Sequence, residues 1–182
     1  MRDLSLHLLD LAQNSISAGA SLVEIFLTQE ASGWLTMVIR DDGRGMSPEL
    51  LARVTSPFAT TRTTRKVGLG LPLMQENAEK TGGSLRITSE EDKGTELTVT
   101  LDTRSIDCLP LGDLPGTLLS LILMHPDTPD FHFHGVSPAG VCDVDTREIR
   151  QAAGGLPLNE PAIAAWLMSA LEDEIHPIFG GV

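Results

Sequence analysis

Residues 34 to 46, WLTMVIRDDGRGM, join an alternating apolar run to an acidic turn that contains two glycines. Leu35, Met37 and Ile39 occupy every second position, which is the period of a strand with one apolar face. The same parity places Asp41 on the face that should be buried, where a carboxylate is costly unless donors surround it. A ligand's amino group is one such donor, and the alternative interpretation is an ordinary Asp–Gly turn.

Three more segments predict strands with the same alternation, at residues 22–29 and twice within 84–101. Helical periodicity is present in residues 3–17 and 69–83. Each predicted strand has one apolar face, so one side of the sheet should pack on helices while the other side is more exposed to solvent. The order of elements predicts an α+β fold, a two-layer sandwich with helices on one face of the sheet.

Residues 105–182 differ from 1–104 and hold eight of the eleven prolines. We therefore predict two regions, 1–104 and a small α/β C-terminal region of unknown role at 105–182. In the second region we expect a helix capped by Asp113, with a strand as the alternative for the same segment, then a hairpin around SPAG and a short helix. A final helix should follow, with Asn159 as its N-cap and an apolar face of Ile163, Trp166, Leu167 and Leu171.

The segment FHFHG places His132 and His134 on one face of a strand in that hairpin. With Cys142 and Asp143 on the facing strand, a metal site is conceivable. The interpretation that we favour is plainer: the two histidines lie at the surface, and the phenylalanines that alternate with them face the core.

Composition excludes several function classes. The net charge of −12 and the pI near 4.7 disfavour binding to nucleic acid. No run reaches the roughly 20 apolar residues of a membrane span, and the N-terminus lacks a signal peptide, so we expect a cytoplasmic protein that does not enter a membrane. The two cysteines form no CxxC pair, which predicts reduced thiols rather than a zinc site.

Asp10 and Asn14 lie four residues apart on the first predicted helix, so both point to one side, one turn apart. A carboxylate can polarise a water molecule, and an amide oxygen is a hard ligand that suits Mg²⁺. Alternatively, the pair belongs to a helix face that is simply exposed to solvent.

Gly68 and Gly70 precede the second predicted helix, whose free N–H groups and dipole attract anions. Directly upstream lie the cations Arg62, Arg65 and Lys66, together with four threonines. This basic, hydroxyl-rich segment predicts a phosphate-binding lid, and the alternative is a solvated loop.

These features occur in the order of the motifs of the GHKL ATPases, the Bergerat-fold superfamily of type II topoisomerases, the chaperone ATPase, sensor histidine kinases and mismatch-repair ATPases. DLAQNSISAGAS resembles the N box and DDGRGM the G1 box. PFATTRTTRKVGLGLPL resembles the lid and G2 box of histidine kinases, and GGSLRITSEEDKGTELTVTL the closing strands. The resemblance covers residues 5–101 and implies a mixed sheet.

For the base of ATP, the resemblance implies that Asp41 accepts from the adenine amino group. Gly43 and Gly45 would line the base pocket, Met46 would pack against the base, and Thr95 matches a threonine near the adenine.

For the triphosphate, it implies that Asn14 coordinates Mg²⁺ and that Arg62 or Lys66 neutralises charge. Backbone N–H groups that would contact the phosphates belong to Gly68, Leu69 and Gly70.

Asp10 departs from the pattern, because members that hydrolyse ATP usually carry glutamate there. The side chain is one methylene shorter, and a misplacement of about 1 Å can cost about a hundredfold in rate. The resemblance thus implies an Mg·ATP-binding protein that hydrolyses ATP slowly, or that transfers phosphate to a separate protein, since we expect no phosphoacceptor domain in this chain. The alternative is a non-catalytic, nucleotide-gated regulator, similar to anti-sigma switches, that binds an unidentified protein. The oligomeric state, a homodimer included, stays open.

Overall fold

The structure of the chain, a computed structural model, describes residues 2–54 and 70–180. The helices of the described part are α1 (Leu4–Ser17), α2 (Pro48–Val54), α3 (Gly70–Lys80), α4 (Leu114–Met124), α5 (Thr146–Ala152) and α6 (Pro161–Phe179). Its strands are β1 (Leu22–Gln29), β2 (Trp34–Asp41), β3 (Ser84–Glu90), β4 (Gly94–Asp102), β5 (Asp130–Ser137) and β6 (Gly140–Asp145). The predicted lid falls almost entirely outside the described residues.

All six strands form one mixed sheet in the order β3-β4-β2-β1-β5-β6. Every neighbouring pair is antiparallel except β1 and β5, which run parallel. The sheet with its helices confirms the predicted α+β class and the mixed sheet.

The alternation in β1 and β2 sets which face of the sheet is buried. Ile25 pairs with Ile39 and Leu27 with Met37, and all four side chains are buried. Asp41 keeps the same parity at the end of β2 and is also buried, as the alternation predicts. The last residue of this central strand therefore presents a carboxylate beneath the helical layer.

An apolar stripe attaches α1 to that face. Leu4, Leu8 and Leu11 are buried, as the helical spacing predicts, and Ser15 continues the stripe by one more turn. Asp3 caps the first turn by accepting a hydrogen bond through its side chain. The stripe thus ends on a polar side chain directly above the sheet.

Strands from both predicted regions share the sheet. Because β5 pairs with β1 in parallel, residues beyond 104 extend the sheet rather than forming a sheet of their own. Phe131 and Phe133 of β5 are buried in the same apolar core as the residues of β1 and β2. Asp113 caps α4 as predicted, by accepting from the N–H of Gly116 at 2.9 Å.

Two predictions for α6 are wrong. The residue before the helix is Glu160, which makes no side-chain capping bond, so Asn159 is not the N-cap. Trp166 is 55% exposed, because the buried stripe runs along Leu167, Leu171, Ile175 and Phe179. An adjacent residue is turned about 100° around the helix and so leaves this face. No helix within the described ranges is sufficiently long and apolar to cross a bilayer.

Replacing Leu121 by alanine should destabilise the whole sheet, because this α4 side chain is fully buried in the shared core. We expect Leu121→Ala to lower the free energy of unfolding by about 2–5 kcal/mol. Ile106→Ala is the control, since Ile106 is 98% exposed, and its effect should stay within about 0.5 kcal/mol. Urea unfolding is followed through Trp34 in β2, in a Trp166→Phe background. A Trp34 transition that Leu121→Ala leaves unmoved would contradict the shared core.

Candidate functional site

A cavity of about 170 Å³ lies between α1 and the β2, β4 and β3 part of the sheet. Five of the residues predicted for a nucleotide site line this cavity: Asn14, Asp41, Gly45, Met46 and Thr95. Apolar side chains from the helix and the sheet form its walls, among them Leu11, Ile39, Ile87 and Leu97. An apolar cavity with a few convergent polar groups is the usual form of a small-molecule site.

Asp41 is the buried charge of this cavity, with 8% of its surface exposed. Its carboxylate accepts from the Ser15 hydroxyl at 2.6 Å, from the Gly43 N–H at 3.0 Å and from the Thr95 N–H at 3.3 Å. Three neutral donors hold the carboxylate in place but leave acceptor capacity on its oxygens, since a carboxylate has about four acceptor sites. A ligand N–H that enters the cavity can use this capacity.

Ser15 is a site residue that the motif reading missed. Its position carries a signal nonetheless, because a serine continues the apolar stripe of α1 at a place where the spacing calls for a buried side chain. Buried hydroxyls need a partner, and the Asp41 carboxylate is that partner.

Asn14 lines the cavity with an unsatisfied amide. Its side-chain nitrogen is buried and has no hydrogen-bond partner among the described residues. Oxygen and nitrogen of an amide are assigned from their hydrogen bonds, so either end of this group is available to a ligand. A buried polar group without a partner is costly, and an oxygen donor facing the cavity fits a hard cation such as Mg²⁺.

The turn after β2 needs its two glycines for close packing. A Cβ at Gly43 would lie 2.9 Å from the Ala18 Cβ atom, and one at Gly45 would overlap the backbone of Glu90. Gly45 also has a φ of 62°, which disfavours other residues. The Met46 N–H then donates to the Ser89 hydroxyl at 2.9 Å. The turn is thereby fixed to the β3–β4 hairpin.

Asp10 is half-buried on α1 and lies against Gly70, the first residue of α3. A Cβ at Gly70 would overlap the Asp10 carboxylate, so the two helices approach as closely as a glycine permits. The positive end of the α3 dipole lies at this contact. Asp10 and Asn14 therefore share one side of α1, with Asn14 in the cavity and Asp10 at the start of α3.

His7 supports the same helix pair from inside the core. Its Nε2 atom lies 2.8 Å from the Asn77 side-chain nitrogen, and the imidazole is 1% exposed. Burial lowers the pKa of His7, with the chain's N-terminal charge adding to the effect. The neutral imidazole links α1 to α3.

Four predicted site residues lie outside the described residues: Arg62, Lys66, Gly68 and Leu69. Gly70 is described and buried at the start of α3. The structure adds Arg44, a cation between the two glycines of the turn, to the lining of the cavity. Nothing in the spacing of the DDGRGM turn predicts that Arg44 lines the cavity.

The histidines of β5 form a polar cluster away from this cavity. Asp143 accepts from His134 Nδ1 at 2.6 Å and lies 3.2 Å from His132 Nε2. Burial acts to raise the pKa of Asp143, but the two imidazoles outweigh it and the pKa is lowered. Cys142 is buried on the other side of β6, and within 2–54 and 70–180 no three His, Cys, Asp or Glu side chains are grouped to hold a metal. Phe131 and Phe133, which alternate with these histidines, are buried as the sequence predicts, and the two imidazoles are partly exposed.

The two aspartates of the DDGRGM turn have different partners. Asp42 faces away from the cavity and accepts from the N–H groups of Ser21 at 2.7 Å and Leu22 at 2.9 Å, and from the Ser21 hydroxyl. Burial acts to raise the pKa of Asp42, but these hydrogen bonds outweigh it, and the pKa is lowered. Asp42 thus holds the start of β1 beside the turn.

The first part of the chain is similar in sequence to known proteins. The sequence profile of the family described as histidine kinase-, DNA gyrase B-, and HSP90-like ATPase matches residues 2–105. Sporulation kinase E of Bacillus subtilis is 33% identical over 98 residues, which make up 53% of this chain and 13% of that protein. Sensor histidine kinase ZraS of Salmonella typhimurium is 32% identical over 96 residues, 52% of this chain and 20% of that protein.

The chain spans 20% or less of the length of the curated relatives that it matches. Among solved structures, the crystal structure of the N-terminal domain of a DNA repair protein has a TM-score of 0.51. The match has 15% identity and covers 80% of this chain and 52% of that chain. At this identity the likeness concerns the fold alone.

Asp42 should stabilise the protein only while it is ionised. Its pKa is lowered in the folded state, so its contribution is present above the unfolded-state pKa of about 3.9 and is lost as the pH falls through the folded pKa. Because the residue is exposed, solvent screens the effect, and we expect Asp42→Asn to cost about 0.5–1 kcal/mol at pH 7.

Denaturant unfolding of both proteins at pH 7 and at about pH 3 checks this, with Asp127→Asn as the control at an exposed position. The difference between wild type and Asp42→Asn should shrink at the lower pH. A difference that grows on acidification would contradict the role given to Asp42.

Proposed function

We propose, from the premise that the chain belongs to the family of histidine kinase-, DNA gyrase B- and HSP90-like ATPases, that its cavity binds ATP. The observation that carries the proposal is the buried Asp41 carboxylate, which three neutral donors position and which keeps acceptor capacity toward the cavity. An adenine ring presents one amino group, and that group is the donor this carboxylate lacks.

The base would enter edge-first toward Asp41. Its faces would pack against apolar side chains of the cavity, with Met46 on the turn and Leu97 on β4. Thr95 supplies a backbone N–H to Asp41 and a hydroxyl that lines the same cavity. Gly43 and Gly45 let the turn approach this edge without side-chain obstruction.

The phosphates would lie toward α3. Asn14 has an unsatisfied amide that fits an Mg²⁺ ligand, and such an ion, when bound, neutralises phosphate charge. Gly70 stands at the N-terminus of α3, where backbone N–H groups favour anions. The resemblance of the sequence to the family implies that Gly68 and Leu69 would add further N–H groups and that Arg62 or Lys66 would add positive charge; these four residues lie outside the described residues.

For catalysis we assign the proton-accepting role to Asp10. In hydrolysis a water oxygen bonds to the γ-phosphorus, the bond to the β-phosphate oxygen breaks, and Asp10 takes the water's proton. A protein side chain in place of the water gives phosphotransfer. The Asp10 side chain is short and its carboxylate lies against Gly70. Because a small misplacement of a catalytic group is costly in rate, we expect a slow reaction in the isolated chain.

The second candidate function is a nucleotide-gated regulator that binds a partner protein with little turnover. The observation that favours it is the tight contact of Asp10 with Gly70, which leaves a longer acid no room unless α3 moves. Both candidates share the same nucleotide site and differ only in turnover.

Asp41→Asn should abolish adenine-nucleotide binding. The amide replaces one acceptor oxygen by an NH₂ group, which cannot accept a hydrogen bond from the adenine amino group or from the protein donors around Asp41. Calorimetric titration with ADP measures the loss, which we expect to exceed about a hundredfold in Kd. Asp127→Asn, an exposed aspartate in the segment before β5, is the matched control and should bind as wild type does. Micromolar affinity retained by Asp41→Asn would overturn the site.

Asp10 substitutions should separate the two functions. In single-turnover assays with ATP and Mg²⁺, Asp10→Asn should lose about tenfold or more of any wild-type hydrolysis, since general-base assistance contributes at least that much. Asp10→Glu should increase hydrolysis if α3 can move, while ADP affinity of both variants stays unchanged. Equal hydrolysis rates for wild type and Asp10→Asn would show that Asp10 has no catalytic role and would favour the nucleotide-gated regulator.

A further inference from the structure

A second cavity lies at the other end of the sheet, between β6, α5 and α6, and has a volume of about 200 Å³. Ile149, Leu167 and Leu171 form its apolar floor, and Trp166 stands at its side. β6 is three strand positions from β2 in the sheet order, which separates the two cavities by roughly 14 Å or more. We call this second cavity the α5–α6 groove.

Several large apolar side chains in the C-terminal part of the chain are exposed rather than packed, and Trp166 among them lines the groove. Trp166 is 55% exposed, Leu156 before α6 is 56% exposed, and Val141 on β6 is 60% exposed. Within the described ranges β6 is the last strand of the sheet, so no strand covers its outer edge. Exposed tryptophan beside a groove is typical of a surface that a partner buries.

The charge around the groove is negative. Asp143, Asp145, Glu148 and Glu174 line it. Residues 105–182 contain two arginines and no lysine, against eleven aspartates and glutamates.

Both arginines are already paired. Arg147 binds Asp145 at 2.6 Å, and Arg150 binds Asp130 at 2.8 Å. In the part of the chain that the structure describes, no ion pair neutralises Glu148 or Glu174. These two residues, one on α5 and one on α6, both line the groove.

We propose that the α5–α6 groove binds a basic segment of a partner protein, with one lysine or arginine side chain inserted above the floor. Such a side chain has an apolar stem and a cationic head, which match the apolar floor and the acidic rim. Trp166 lines the same groove, and an indole ring attracts a cation that lies over its face. The acidic rim repels anionic lipid and nucleic acid, and a second copy of this chain would bring the same negative charge to the groove.

The test uses two labelled synthetic amphipathic peptides that share their leucines and differ only in carrying lysine or glutamate at the polar positions. Fluorescence anisotropy with the full chain should show binding of the lysine peptide alone. Glu148→Gln with Glu174→Gln should weaken it about tenfold, as expected for two partly exposed ion pairs. Trp166→Ala should weaken it about thirtyfold.

The matched control is Glu172→Gln with Asp173→Asn, which removes the same charge from exposed positions of α6 outside the groove. Its effect should stay under about threefold. In a Trp34→Phe background, Trp166 is the remaining tryptophan, and the lysine peptide should shift its emission to shorter wavelength.

If both double variants weakened binding equally, the lysine peptide would be responding to the overall negative charge of the chain and not to the groove, which would overturn the proposal. Self-association in sedimentation that Trp166→Ala abolishes would assign the groove to a second copy and also overturn it. ADP titration of the same samples reports on the nucleotide site separately, so the failure of either proposal is distinguishable from failure of the other.

Discussion

The buried carboxylate of Asp41 is the constraint on which the arrangement of the proposed nucleotide site depends. It ends the central strand β2 on the apolar face, where an unpaired charge would be costly. Ser15 on α1, Gly43 in the turn and Thr95 on β4 each donate to it. One charge therefore fixes the helix, the turn and the neighbouring strand relative to one another. The same charge gives the cavity its most specific acceptor.

The C-terminal part of the chain completes the layer that buries this site's helix. α4 packs against α1 and α6, and β5 joins the free side of β1. The sheet thus has a cavity at each end: the proposed nucleotide site over β2, β4 and β3, and the α5–α6 groove beside β6. Leu167 and Leu171 of the groove belong to the same apolar core as Leu8 and Leu11 of α1.

Local periodicity predicted the strands, the buried parity of Asp41 and the stripe of α1, because alternation and helical spacing decide which face an element buries. It did not predict the parallel pairing of β5 with β1, since that contact joins segments about a hundred residues apart. The exposure of Trp166 was missed for a related reason: an adjacent leucine competes for the same helix face, and only the packed neighbours decide. Ser15 is a polar residue within an apolar stripe, and its burial is explained by the hydrogen bond that its hydroxyl donates to Asp41.

The most direct measurement of the central claim compares ADP with inosine diphosphate, in which a carbonyl replaces the amino group of the base. Asp41 can accept a hydrogen bond from the amino group but meets an acceptor in the inosine base. Calorimetric titration of the wild-type chain should give affinity for inosine diphosphate at least about tenfold weaker than for ADP. Equal affinities would show that the buried carboxylate does not read the base, and would contradict the site described above.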